Sequence, residues 1–350
     1  MGKKMAVVGA GAAGSYIGAF LAREGHDIVL IDMWGEHVEK MNSDGIDVSG
    51  SQGPFNVPVQ AYHFYDASQL KDKYDIIFFA MKSYDTVWAA HFAKNLLSPN
   101  GVLVSNQNCM NDLTLASIVG FEREIPCVMS GITVGLWEPA HVNRGGQPGR
   151  DRGHDVFRVG ELHGRITPRA EEIAELLSCI DGSRATSNIW GERWSKLTTN
   201  ASSNPITAMT GLGSNGAAEI PEARRLQIEI SKESCQVALA QNFDVEPIKG
   251  VAADVWVRAD EGDVFEELDE KFLPNPNASD WKSSMAQDVT KGRKTEVTLM
   301  NGYISEQGAL VGIPTPINTA ITSVVDEIDR GIRQADVENI KEVLLRAGIT

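Results

Sequence analysis

Cysteine is scarce and poorly placed for chemistry of its own. The 350 residues hold four, Cys109, Cys127, Cys179 and Cys235. They form no C-x-x-C pair and have no histidine nearby at metal-ligand spacing, which excludes a zinc ribbon and a disulfide framework. Reduced thiols in a cytoplasm fit this usage. Cationic residues are in deficit: 32 Lys and Arg face 47 Asp and Glu, a net charge of −15. Broad attraction to nucleic acid or to an anionic membrane is therefore not expected, and an anionic substrate has to be held by a local set of donors. No apolar run reaches the roughly 18 residues that suggest a bilayer span. The first residues lack the apolar core and cleavage pattern of a secretory leader. A soluble cytoplasmic protein is the expectation. There is no internal repeat and no low-complexity tract. The seven histidines supply no triad and no metal set, so no metal is expected. His141 and His154 fall in a polar stretch, where solvation is the plain reading and substrate contact the sharper one.

What the chain does have is a hydrophobic share of 42%, which argues against disorder, and enough length for two domains with full cores. Its organising stretch runs from Met5 to Asp32. Met5 to Val8 is a short apolar run, as in a strand buried on both faces. Gly9, Gly11 and Gly14 follow at G-x-G-x-x-G spacing, with Ala12 and Ala13 between the last two. Gly9 permits a tight turn, Gly11 lets a pyrophosphate approach the backbone, and Gly14 lets a helix lie close to the strand. The amides at that helix start favour a phosphate. Ile17, Phe20 and Leu21 share its buried side, and a second apolar strand ends at Asp32. The glycine pattern alone is weak, and a glycine-rich turn in another α/β fold is the plainer reading. Here, however, it sits between two strands with an acid near the expected distance. Asp32 is suited to the ribose hydroxyls and repels a 2′-phosphate, which favours NAD(H) over NADP(H). A helix cap or a surface acid is the alternative for it.

Further on, strands alternate with helices, as in a doubly wound sheet. Tyr74 to Ala80 reads as a buried strand followed by Met81-Lys82, and 84–97 as a helix. Gly101 to Ser105 is the next strand, ending in Asn106-Gln107-Asn108-Cys109. Pro126 to Trp137 reads as one extended apolar segment, 138–154 as a polar loop or long hairpin connection, and Val156 to Val159 as a returning strand. Pro168 to Ile180 is an amphipathic helix. From Ile189 the strand pattern largely stops. Ile220 to Asn242 and Val251 to Arg258 read as helices, Thr315 as a cap with Pro316 in the first helical position, and Val337 to Ala347 as the last helix. The boundary falls near residues 183–189, giving a dinucleotide-binding domain over 1–185 and a helical substrate domain over 186–350.

The second half carries Trp194-Ser195-Lys196, Asn200, Asn204-Pro205, then Ser283-Ser284-Met285 with Asp288, Gly292-Arg293 with Thr295-Glu296, Asn301-Gly302, and Ile313-Pro314-Thr315-Pro316. Taken with the glycine turn, Met81-Lys82 and Gln107-Asn108, this order and spacing over nearly the whole chain resembles the ketopantoate reductase family, the 2-dehydropantoate 2-reductases. The resemblance implies a Rossmann-type doubly wound α/β sheet followed by an all-α domain of the 6-phosphogluconate dehydrogenase C-terminal type. It implies hydride transfer between a nicotinamide and a small oxo or hydroxy acid, and often a homodimer. It gives Lys196 the role of general acid/base, places Glu296 near the active site, sets Ser284 against the substrate carboxylate, and puts Lys82 and Asn108 on the nicotinamide side of the cofactor.

The residue types suit that chemistry. A developing alkoxide needs a proton or a positive charge. A free lysine, with a pKa of about 10.4, donates reluctantly; burial beside a cofactor brings it closer to neutrality, and its charge stabilises the oxyanion regardless. Asn200 and Asn204 share a helix face with Lys196 and offer amides to a substrate, though capping or packing fits them too, and Pro205 suggests that the helix bends or ends there. An exposed helix lysine, a surface acid, a helix cap and a surface lysine are the plain readings of Lys196, Glu296, Ser284 and Lys82. Two positions depart from the family pattern: Cys109 stands where glycine is usual, and Trp281 where asparagine is common before Ser284. Asp32 replaces a basic or neutral residue of NADP-using members. These departures suggest a different hydroxy or oxo acid, with an NAD-linked oxidation as one direction. A flavoprotein and a non-catalytic NAD(H) sensor are the competing readings.

Overall fold

The protein is described from a computed structural model, which covers residues 2–275, 277 and 280–349. Chain contacts divide it into two units, Met1–Ile189 and Trp190–Thr350. The strands are β1 (Met5–Val8), β2 (Ile28–Asp32), β3 (Ile46–Gly50), β4 (Phe55–Val57), β5 (Gln60–His63), β6 (Tyr74–Phe79), β7 (Leu97–Ser105), β8 (Glu124–Met129), β9 (Thr133–Glu138), β10 (His141–Gly145), β11 (Phe157–Gly160) and β12 (Ser183–Thr186). The helices of the first unit are α1 (Ala12–Arg23), α2 (Gly35–Asp44), α3 (Phe64–Ala67), α4 (Thr86–Leu96), α5 (Asp112–Val119) and α6 (Pro168–Ser178).

Eight strands form the main sheet in the order β12-β11-β8-β7-β6-β1-β2-β5. All neighbours are parallel except β11 against β8. Both faces of β1 are buried because helices cover both: Met5 and Val7 join the core with α1 and α6, and Ala6 and Val8 the core with α4 and α5. The chain leaves β1 for β2 on one side and later returns to β6 on the other, so the order reverses beside β1, where doubly wound sheets bind ligands. Register sets Val8 opposite both Ile31 and Phe79, and Phe79 opposite Ser105. Gly9, Asp32, Met81 and Asn106 thus lie at or just past the carboxyl ends of adjacent strands.

A second sheet, β4-β3-β10-β9, corrects the sequence reading of 126–154. Pro126 to Trp137 is not one strand: β8 ends at Met129 in the main sheet and β9 begins at Thr133 in the other. The stretch read as a polar loop or long hairpin connection contains β10, which forms a hairpin with β9 and also runs parallel to β3. This sheet lies over α1, whose residues from Gly14 to Leu21 are all buried. A helix covered on two sides has no need of a polar stripe. Arg144, on β10 and 2% exposed, ion-pairs with Asp181, which also accepts amide N–H bonds from Gly149, Arg150 and Gly182 at 2.9, 2.8 and 2.7 Å. Burial works against that carboxylate, but these donors together hold Asp181 below the usual carboxylate range.

The second unit holds α7 (Ile189–Thr210), α8 (Ser214–Ala218), α9 (Pro221–Ala240), α10 (Ala253–Val257), α11 (Val264–Asp269), α12 (Ser284–Thr290), α13 (Val297–Val311), α14 (Pro316–Asp329) and α15 (Asn339–Arg346). Helix α7 is buried over most of its length. It does not end at Pro205, one of the two outcomes the sequence suggests, but continues to Thr210. The Ala201 carbonyl, which a proline at position 205 leaves without its helical N–H, instead accepts from the Asn301 side chain at 3.1 Å. Thr315 does occupy the N-cap of α14, yet its hydroxyl makes no capping bond. Glu233 of α9 caps instead, accepting the amides of Ile317 and Asn318 at 2.9 Å each and Asn318 Nδ2 at 2.7 Å. Burial pushes this carboxyl up to about 7, against the pull of those donors. Among the described residues no helix is long and apolar enough to cross a membrane, and no cluster of His, Cys, Asp and Glu is arranged to hold a metal.

Candidate functional site

The glycine turn is shaped as its sequence requires. Gly9 has φ +93°, and a Cβ there would lie 2.8 Å from Met81 Sδ and 2.9 Å from the Ala80 carbonyl carbon. At Gly14 a Cβ would stand 2.1 Å from the Gly9 carbonyl oxygen. At Gly11 it would meet nothing within 4 Å. Two glycines are therefore required by packing, and the third borders open space, as a cradle for a pyrophosphate demands. Gly11 is the N-cap of α1, and Ser15 N–H to Gly11 O, at 2.8 Å, is the first bond of its ladder. The amides ahead of it at Ala12 and Ala13, both half-buried, have no helical partner. This donor set fits a dinucleotide phosphate.

The turn is also tied from behind, by a residue the sequence reading passed over. His37 of α2 is fully buried. Its Nδ1 accepts from the Ala140 amide at 2.8 Å, so the proton sits on Nε2, which lies 2.9 Å from the Ala10 carbonyl and 3.1 Å from Ser15 Oγ. Burial lowers the pKa of the imidazole, opposed by the Asp32 charge and the Ala10 bond. The ring is a neutral strut between the glycine turn and the β9–β10 hairpin. No local sequence signal marks it, because its partners lie 27 and 103 residues away. Asp32 ends β2 and is half-exposed; its Oδ1 accepts the Trp34 amide at 2.9 Å. The N-cap of α2 is Trp34, so Asp32 is not that helix's cap. Trp34 stacks on His37 with ring centroids 5.4 Å apart.

Lys82 follows β6 and is half-buried at the start of a 3-10 turn. Gln107 braces this corner by donating to Met81 O and Thr86 Oγ1, at 2.9 Å each. The Asn108 carbonyl accepts from Asn111 Nδ2 at 2.8 Å. Cys109 has φ +64°, a glycine-type conformation that costs a residue with a Cβ about 1 kcal/mol. The family's glycine at this position thus has a backbone reason, and this chain keeps the turn without it. Asn106, 6% exposed, has neither amide atom hydrogen-bonded among the described residues.

In the helical unit Lys196, Asn200 and Asn204 lie on α7, Lys196 half-buried and the asparagines 8% and 7% exposed. The Asn204 carbonyl accepts from Thr207 Oγ1 at 3.0 Å and from Ser283 Oγ at 3.4 Å. Thr207 and Ser283 hydroxyls lie 2.7 Å apart. The start of α12 is thereby docked on the Asn204 turn. Ser283, not Ser284, caps α12, accepting the Ala286 amide at 3.1 Å. Ser284 is half-buried one position on, its hydroxyl without a partner among the described residues. Glu296 is 5% exposed at the N-cap position of α13, so it is not a surface acid. The Trp281 carbonyl accepts from Ser214 N–H at 3.1 Å and Ser214 Oγ at 3.2 Å.

Two family models match the chain: "Ketopantoate reductase PanE/ApbA" over residues 5–152 and "Ketopantoate reductase PanE/ApbA C terminal" over residues 188–329. Among curated relatives, the 2-dehydropantoate 2-reductase of Pyrococcus horikoshii is 26% identical over 325 residues, covering 92% of this chain and 96% of its own. Among solved structures, a PanE/ApbA family ketopantoate reductase from Ralstonia eutropha aligns with a TM-score of 0.76 at 24% identity, covering 94% of this chain and 99% of that one. A D-mandelate dehydrogenase solved with NADH and anilino(oxo)acetate aligns with a TM-score of 0.78 at 21% identity, again over 94% and 99%.

Proposed function

The chain belongs to the ketopantoate reductase family, and from that premise we propose that it moves a hydride between NAD(H) and a small 2-oxo or 2-hydroxy acid. The observation that carries the nicotinamide part is the glycine turn: Gly9 and Gly14 closed by packing, Gly11 open, and amides without helical partners at the start of α1. The nicotinamide, when bound, supplies or accepts the hydride. Lys196 then gives the carbonyl oxygen its proton as the ketone is reduced, and takes it back when the alcohol is oxidised; its charge lowers the barrier in both directions. Asn200, Asn204 and the unpartnered Ser284 hydroxyl hold the acid. Glu296, buried, orients the lysine or a substrate hydroxyl. Lys82 and Asn108 frame the nicotinamide side. Asp32, ending β2, selects NAD(H) by disfavouring a 2′-phosphate; the D-mandelate dehydrogenase of the same fold was solved with NADH. Exposed Leu310 and Leu345, at 74% each, supply apolar surface for the homodimer we propose.

A panel of 2-oxo and 2-hydroxy acids followed at 340 nm with NADH and NADPH tests this reading. Lys196→Ala is expected to lose at least about a hundredfold in kcat while keeping its NADH affinity. Near-normal turnover in that variant removes Lys196 from the mechanism. A ligand that binds with NADH but never turns over moves the protein to the sensor reading.

A further inference from the structure

Helix α7 carries a proline in its interior, and the group that compensates for it comes from another helix. Pro205 offers no N–H to the Ala201 carbonyl four residues back, and a buried carbonyl left bare is costly. Asn301 of α13, fully buried, donates from Nδ2 to that carbonyl at 3.1 Å and to Asn318 Oδ1 at 3.0 Å. Asn318 of α14, also fully buried, passes the chain on through its own Nδ2 to Glu233 of α9. One run of amides thus joins four helices at the turn between Asn200 and Asn204. That turn also receives α12, through Ser283 and the Asn204 carbonyl.

We propose that Asn301 is a positioning residue: it completes the hydrogen-bond ladder of α7 at Pro205 and so keeps Asn204, with Ser283 at the start of α12 docked beside it, in line with Asn200 and Lys196. The proposal rests on the reading of α7 as the helix that holds substrate. Proline is the commonest cause of a sharp helix kink, and displacements of about 1 Å are enough to damage a site. Asn301 meets the kink at the carbonyl where it would open.

The test is a double-mutant cycle in the full-length protein. In Asn301→Ala the Ala201 carbonyl loses its donor. Hydrogen exchange of amides in 201–208 is expected to speed up on the order of tenfold. KM for the acid is expected to rise on the order of tenfold, with a smaller change in kcat and none in NADH affinity. Pro205→Ala alone keeps near-normal values. In the double variant the backbone N–H restored at position 205 bonds the Ala201 carbonyl, and both exchange and KM return to within about threefold of the parent. If Asn301→Ala does not accumulate as folded protein, recovery of folded protein on adding Pro205→Ala is the same result. A double variant as impaired as Asn301→Ala, or an Asn301→Ala protein with unchanged exchange and KM, overturns the proposal. The exchange measurement is independent of the chemistry. If exchange follows the cycle while Lys196→Ala retains turnover, the reading of the reaction has failed and the repair of the ladder has not.

Discussion

The glycine turn makes a prediction in which two neighbouring glycines fail in opposite ways. A methyl group added at Gly14 would stand 2.1 Å from the Gly9 carbonyl oxygen and 2.9 Å from Val7 Cγ1. The first obstacle is backbone and cannot swing aside, so α1 or the turn must move by about 1 Å. Overpacking of this kind costs about 1–3 kcal/mol, and a rigid obstacle puts Gly14→Ala near the upper end. For a unit of this size that is a fall in Tm of roughly 6–12 °C. At Gly11 the same methyl meets nothing within 4 Å, and φ is −68°, open to any residue. Gly11→Ala should therefore hold stability within about 0.5 kcal/mol. It should weaken NADH by about 2–3 kcal/mol through the loss of phosphate–amide bonds, roughly a 30- to 140-fold rise in Kd. Thermal unfolding by circular dichroism and NADH titration by fluorescence read the two quantities separately. Unchanged NADH affinity in a well-folded Gly11→Ala protein would refute the placement of the pyrophosphate, and an unchanged Tm in Gly14→Ala would refute the close packing of α1 on the turn.

Other expectations follow from single groups. Asp32→Ser retains an acceptor for the Trp34 amide but removes the charge; the NADH-to-NADPH affinity ratio should drop by roughly tenfold at low salt, and no change would show that the carboxylate does not face the ribose. Glu233, pushed up to about 7 by burial, is easier to keep neutral in the folded than in the unfolded chain. Its contribution is complete below about pH 4.5 and is lost as pH rises through 7, amounting to about 3 kcal/mol in all. Urea unfolding between pH 5 and 8 should show that loss in the parent and not in Glu233→Gln; identical slopes would contradict it.

The parts of the fold that were legible in the sequence are those set by local pattern. The glycine turn, β1, β2 and β6 announce themselves because a strand buried on both faces reads as a continuous apolar run. The pairing of the small sheet was missed because its strands are short and mixed in polarity, and their partners lie far along the chain. Arg144 looks like a solvated residue of a loop, and its burial is made tolerable by partners far along the chain, Asp181 37 residues on and Gln52 92 residues back. The helix runs on past Pro205 for the same reason, its compensating donor lying in a separate helix. Ser283 and Ser284 differ only in which hydroxyl faces the Ala286 amide, a matter of side-chain geometry that two adjacent serines do not encode. The burial of Glu296 belongs to tertiary packing and leaves no mark on the chain's periodicity.

The strut at His37 has one more consequence. Its contacts run from a neutral ring to a peptide carbonyl, a peptide amide and a hydroxyl. Dissolved ions screen charges and leave dipoles inside a dry interior almost untouched. The form of this turn is therefore indifferent to ionic strength, and any response of nucleotide affinity to added electrolyte arises from formal charges, those of the nucleotide's own phosphates and of the half-exposed Asp32.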